Sequence, residues 1–228
     1  MKRETLARLL ADSRAQQPVV LVTDLASGAQ RLLRPGEGGV EAGLRAAAEA
    51  ALRSEEAQHF ESEAGAFFLQ PFAPPLRLVV VGAVHIAQPL AAMAALAGWA
   101  VVIVDPRQAF ASEARFPGVA LRSEWPDAAV AALAPDARTA LVTLTHDPKL
   151  DDPALVAGLR SPAFYVGALG SKKTHQARLG RLRALGLGES ELARIHAPVG
   201  LDLGARSPAE IAVAILAELT LRLRGPKR

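Results

Sequence analysis

The stretch Leu78-Val-Val-Val-Gly-Ala-Val-His-Ile-Ala87, leading through a helical pattern to Val101-Val-Ile-Val-Asp-Pro-Arg107, decides the fold class. An apolar run reaches Gly82, the spacing turns helical, and a second apolar run ends on an acid. That order is strand, tight turn, helix, strand. It opens a βαβ unit of the dinucleotide-binding type, in which a glycine turns the chain off the strand and a helix N-terminus offers free N–H groups to a phosphate. Asp105 follows Gly82 at roughly the 20-residue spacing where an acid meets a ribose hydroxyl. The G-x-G-x-x-G/A pattern fails at its second place, which holds Val84, while Ala87 takes the third. A branched side chain there stands where pyrophosphate would touch bare backbone. The pattern therefore predicts a Rossmann-like sheet and argues against an ordinary dinucleotide site.

Working outward, apolar strands continue to alternate with helical patterns, as a parallel sheet requires. Strands are predicted at 76–81, 100–104, 118–121, 139–144 and 163–166, with helices at 85–97, 152–159, 171–185 and near 189–193. Ser207-Pro-Ala-Glu210 signals the start of a last helix, with a capping hydroxyl, proline at the first helical position and a glutamate that can reach back. Upstream, Ala73-Pro-Pro75 reads as a linker, because consecutive prolines stiffen the chain and remove backbone donors. Residues 1–72 precede it as a small α+β domain: a helix at about 2–16, strands at 19–23 and 30–33, a helix from 41 to about 53, and strands at 58–62 and 66–72. The expected organisation is this domain followed by a Rossmann-like domain at 76–228.

Half of the 228 residues are hydrophobic, enough for two modest cores, and the formal charge is only +3. Arginines alternate with acids, so the basic balance reads as a solvated surface and gives no argument for nucleic acid. The charged N-terminal segment carries no signal-peptide pattern. The apolar tract 86–104 is interrupted by Gln88, Pro89 and Gly98, and reads as a buried helix running into a buried strand, not a membrane span. There is no cysteine, which removes disulfides, thiolate metal sites and cysteine nucleophiles together and agrees with a cytoplasmic location. The chain cannot itself carry a persulfide.

Ligands of open α/β folds bind at the carboxyl edge of the sheet, so four loops should gather there. The first contributes Gly82 and His85, the second Asp105 and Arg107, the third His146 and Asp147. The fourth, 167–174, brings Gly167, Gly170, Ser171, Lys172 and Lys173, a combination of small residues, a hydroxyl and positive charge that suits a phosphate; an ordinary glycine turn with a serine cap and two solvated lysines is the alternative. His85, His146 and His196 lack metal-ligand spacing and are expected to cap backbone or bond a ligand, so no metal site is expected. Asp151 or Asp152 ahead of Pro153 reads as a helix start. Glu218 reads as the solvent-facing edge of the last helix, and Arg178, Arg181 and Arg183 as a solvated basic face.

Taken in order, Gly82-Ala-Val-His-Ile-Ala87, Val104-Asp-Pro-Arg107, Leu144-Thr-His-Asp147, Tyr165-Val-Gly-Ala-Leu-Gly-Ser-Lys-Lys-Thr174, His196-Ala-Pro-Val-Gly-Leu-Asp-Leu-Gly-Ala205 and Ser207-Pro-Ala-Glu-Ile-Ala212 resemble the XdhC/CoxI family over roughly residues 76–224. The resemblance implies an accessory protein without a catalytic cycle of its own, which transiently binds molybdenum cofactor (molybdopterin), assists its sulfuration and delivers it to a xanthine dehydrogenase-type molybdenum hydroxylase apoenzyme. A cysteine desulfurase would supply the sulfur, and self-association into a homo-oligomer is compatible with the role. In the first domain, Gly38-Gly-Val-Glu41 looks like a family G-G-C-x-E type motif without its cysteine. Two other readings stay open: an NAD(P)-dependent oxidoreductase, favoured by Asp105 and the βαβ order, and a structural adaptor for the hydroxylase.

Overall fold

The computed structural model describes residues 1–225 and divides the chain into two units, Met1–Pro74 and Pro75–Arg228; residues 226–228 of the expected second domain lie outside the described residues. In the first unit, β1 (Val19–Asp24) lies between β2 (Gln30–Leu33) and β4 (Gly65–Phe72), and β3 (Gln58–Ser62) completes an antiparallel sheet ordered β2-β1-β4-β3. Alternation along β1 sends Val20 and Val22 to one face, where Leu33 and Leu69 join Leu44, Ala48 and Ala51 of helix α2 (Ala42–Ser54). Helix α1 (Arg3–Arg14) is tied to the end of β2 by Arg34, which donates to both oxygens of Asp12.

The second unit is a six-stranded, all-parallel sheet. Its strands are β5 (Arg77–Val81), β6 (Ala100–Val104), β7 (Ala120–Arg122), β8 (Thr139–Thr143), β9 (Tyr165–Ala168) and β10 (Ile195–His196), ordered β10-β9-β8-β5-β6-β7. The chain builds outward from β5 on one side, then returns to β8 on the other. The fold class is thus the expected Rossmann-like one, and the reversal makes the carboxyl ends of β5 and β8 the topological switch point. Strands buried on both faces read as continuous apolar runs, which is why Leu78–Val81 and Ala140–Val142 show no alternation and no exposed surface. On one face lie α3 (Ala87–Leu96) and α8 (Pro208–Arg224), whose Leu90, Ile215 and Leu219 meet Leu78, Val80 and Val142. The other face carries α4 (Pro126–Leu133), α5 (Pro148–Leu159) and α6 (Lys172–Ala184), whose Val130, Leu155 and Leu182 meet Val79, Val81 and Leu141. A single turn, α7 (Glu189–Leu192), leads into β10. None of the helices among the described residues is long and apolar enough to cross a membrane.

Several local expectations need correction. Helix α5 starts at Pro148, not near 152: Asp147 is its cap, accepting from the Lys149 amide, and Pro153 lies inside the helix. The second proline was the misleading signal, since both Pro148 and Pro153 follow an aspartate. Strand β9 lies at Tyr165–Ala168, two residues later at both ends than the expected 163–166. Helix α4 is an element beyond the expected set, and Pro126 at its first turn with Asp127 behind it is its start signal. The two-residue strand β10 is too short to show a period.

Candidate functional site

Because all six strands are parallel, the loops after β5, β6, β8 and β9 emerge at one edge, and side chains link each loop to the next. Asp105, at the end of β6, has no exposed surface. Its Oδ2 accepts from the Ala83 amide at 2.8 Å, and both its oxygens accept from Arg107 through the backbone amide, Nε and Nη2. Burial pushes the Asp105 carboxyl up, but these donors outweigh it and hold it below the usual carboxylate range. The expectation that Asp105 could reach a ribose is therefore corrected: its acceptor capacity goes into locking the first loop to the second.

Gly82 has φ of +111°, and a Cβ there would lie 2.5 Å from Thr145 Cγ2, so the first and third loops touch at a point only glycine permits. Val84 packs against the apolar core, filling the place of the absent second glycine. Above this turn, Arg115 donates to the carbonyls of Ala83 and Phe110. No sequence pattern singled out Arg115, because it acts through folding of the 107–116 segment back over the turn.

In the third loop His146 sits at φ +63°, a left-handed conformation uncommon for a side chain of its size. Its amide donates to Asp151 Oδ2, and the Thr145 hydroxyl donates to Asp151 Oδ1 at 2.7 Å. Asp151 is 1% exposed and Asp152 accepts from Arg181, so neither starts the helix; both are buried acids that organise the edge. His146 and His85 are exposed, on the two loops that flank the switch point. His196 stands apart on β10, stacked on Tyr165 at 4.4 Å. Among the described residues no group of three or more His, Cys, Asp or Glu is placed to hold a metal ion.

The fourth loop rests on a buried arginine. Arg178, 1% exposed, donates through Nη2 to the Leu169 carbonyl at 2.7 Å and lies 4.0 Å from Asp151. Its Nε and Nη1 have no hydrogen-bond partner among the described residues. Burial lowers the Arg178 pKa and raises that of Asp151, each against the pull of its partner. The solvated-face expectation is thus wrong for Arg178. Arg181 and Arg183 are partly exposed and paired with Asp152 and Glu189. The usable signal was helical spacing, since Arg178 falls four residues before the buried Leu182. Above it, Gly170 at φ +134° admits Thr174, and Ser171 caps α6 by accepting from the Thr174 amide. Lys172 and Lys173 are exposed on the first turn. Gly167 belongs elsewhere: it lies within β9, where a Cβ would meet Tyr165 and Val199 at under 3 Å, so it serves strand packing and does not face the edge.

Glu218 also departs from expectation. It is buried, and its Oε2 accepts from the Tyr165 hydroxyl and the Gly200 amide, both at 2.7 Å, while Oε1 is 3.1 Å from His196 Nδ1. Burial raises its pKa, and donation from His196, Tyr165 and Gly200 more than reverses that. The carboxylate pins the chain after β10 against α8.

Parallel strand order, the switch point and a basic helix start above the buried Arg178, whose guanidinium is only partly satisfied, define a Rossmann-type protein whose loops gather at the carboxyl edge. The chain belongs to the XdhC family: the model of the XdhC Rossmann domain matches residues 78–219. Among curated relatives, the molybdenum cofactor insertion chaperone PaoD of Escherichia coli K12 is 35% identical over 148 residues, covering 65% of this chain and 40% of its own length. A probable xanthine dehydrogenase subunit of Bacillus subtilis 168 is 30% identical over 162 residues, 71% of this chain and 47% of its own. The chain thus spans less than half the length of these two relatives. The crystal structure of a xanthine dehydrogenase from Bacillus halodurans shares the fold with a TM-score of 0.73 at 23% identity, covering 97% of this chain and 67% of that one.

Proposed function

We propose that this protein is a maturation factor that transiently holds molybdenum cofactor, presents it for sulfuration and passes it to a xanthine dehydrogenase-type molybdenum hydroxylase in the cytoplasm. Kinship with PaoD supports the choice of cargo. The observation that carries the binding step is Arg178, whose buried Nε and Nη1 nitrogens have no hydrogen-bond partner among the described residues. An unsatisfied buried donor is costly, and such groups fit the phosphate of a phosphorylated pterin, an acceptor that brings its own charge. Lys172, Lys173 and the first-turn amides of α6 would add positive charge and backbone donors to that phosphate.

His85 and His146, at the switch point, are the side chains we assign to the polar end of the cargo. Asp147 caps α5 and Arg107 braces Asp105, so both shape the edge from behind. The pterin brings the metal-binding dithiolene; this chain, without cysteine, contributes shelter and orientation.

The test is retention of molybdopterin by the purified chain across a salt series. Changing Lys172 and Lys173 together to alanine should weaken retention and flatten its salt dependence, since exposed cations act through a screened field. Unchanged affinity at every salt concentration would remove this loop from the site.

A further inference from the structure

After β10 the chain from Pro198 to Ala205 bends around a cleft of about 380 Å³, a volume suited to a small ligand. Leu169, Val199, Leu201, Leu203 and Ile211 give it apolar walls. Its base is fixed from below. The Gly200 amide donates to the buried Glu218, and a Cβ on Gly200, at φ +96°, would come within 3.1 Å of the α8 backbone, so the loop lies flat on that helix. The Leu201 amide donates to the Ala214 carbonyl, adding a second tie.

Two charged side chains line this cleft, Lys172 and Asp202. Both are exposed, and neither pairs with the other or with any described residue. A lone cation and a lone carboxylate on one apolar cleft match a ligand that is anionic at one end and carries N–H donors at the other. An ionised carboxylate has only acceptors, two oxygens wide, and is best satisfied by two parallel N–H groups. Among flat heterocycles, a 2-amino-4-oxopyrimidine presents that pair through its ring N–H and amino group. The edges of adenine and cytosine set one donor beside one acceptor and would leave a carboxylate oxygen facing a lone pair.

We propose that this cleft seats a ring bearing the 2-amino-4-oxopyrimidine edge shared by pterins and guanine, with Asp202 accepting its two N–H groups and Lys172 facing the ligand's anionic end. The inference deepens the maturation reading, because Lys172 also belongs to the proposed phosphate site. It brings in Asp202, which no motif singled out as a binding residue.

Equilibrium binding to the full chain tests it, with 6-hydroxymethylpterin followed by its own fluorescence and with GMP and AMP as competitors. Binding of the pterin, displacement by GMP but not by AMP, and weakening by at least about tenfold in Asp202→Asn would support the assignment; tenfold corresponds to one recognition contact. Whichever of pterin and GMP binds more tightly identifies the source of the ring. Leu203→Trp, at an exposed position on the wall, should block both probes while leaving the melting curve unchanged. No binding of either probe, equal displacement by AMP, or an Asp202→Asn variant indistinguishable from the parent would overturn the proposal. If molybdopterin is still retained in a lysine-dependent way in that case, the cleft assignment fails alone. If molybdopterin is not retained while GMP binds through Asp202, the maturation reading fails and the cleft stands as a guanine site.

Discussion

Asp105 carries the most consequence of any single side chain, because the same position would read a ribose in a dinucleotide enzyme and here braces a loop. Replacing it with asparagine keeps the volume but removes the charge and turns one acceptor into a donor facing the Ala83 amide or Arg107. We expect a loss of about 2 kcal/mol, typical of losing hydrogen bonds to a buried charged group, read as a lower denaturant midpoint. Acid sensitivity follows the sign of the shifts. Asp105 and Glu218 are held below their ordinary values in the fold, so the stability they contribute is present above the unfolded carboxylate range and lost as pH falls through their folded values. Asp151 is raised, so it works the other way and favours the fold at lower pH. The net expectation is a melting temperature that drops below about pH 4 and drops less steeply in Asp105→Asn. Nicotinamide dinucleotides should not bind appreciably, since Val84 fills the backbone approach and Asp105 is saturated. A fluorescence titration with NAD(P)H checks this, and micromolar affinity would favour the oxidoreductase reading.

At the scale of elements, the strand-to-helix turns do the positioning. The turn from β5 to α3 depends on Gly82, where both φ and the 2.5 Å approach to Thr145 exclude a side chain. Gly82→Ala should cost roughly 1–3 kcal/mol, the range for a strained backbone, measured by chemical unfolding, and should also disturb the Thr145–Asp151 contact it presses on. This turn was legible from residues alone, because strand, glycine and helix follow one another within one short window. The turn from β8 to α5 was not. Asp147-Pro148 and Asp152-Pro153 are equivalent as local start signals, and only burial of Asp151 and Asp152 against Arg178 and Arg181 selects the first.

For the whole molecule, the described site residues all lie within the Pro75–Arg228 unit, and on the proposed maturation reading sulfur would come from outside a chain that has no cysteine. In a reconstituted system of apo-hydroxylase and molybdenum cofactor, activation should require a cysteine desulfurase and rise when this protein is added. Replacing His85 and His146 should reduce that gain without shifting the melting curve. Equal activation with and without the protein would favour the adaptor reading.

Periodicity, glycine and proline placement and helix caps are properties of neighbouring residues, so the alternation of strands and helices, the four edge loops and the Ser171 and Ser207 caps could be read without coordinates. Burial of a charge is a property of distant segments brought together. Arg178 beneath Leu169, Asp105 under Ala83, and Glu218 joining Tyr165 to Gly200 each depend on a partner that no local pattern announces. Arg178 and Glu218 look solvent-facing in a sequence because charge alone is cheapest in water, and such groups go inside only where the fold has already placed their donors and acceptors.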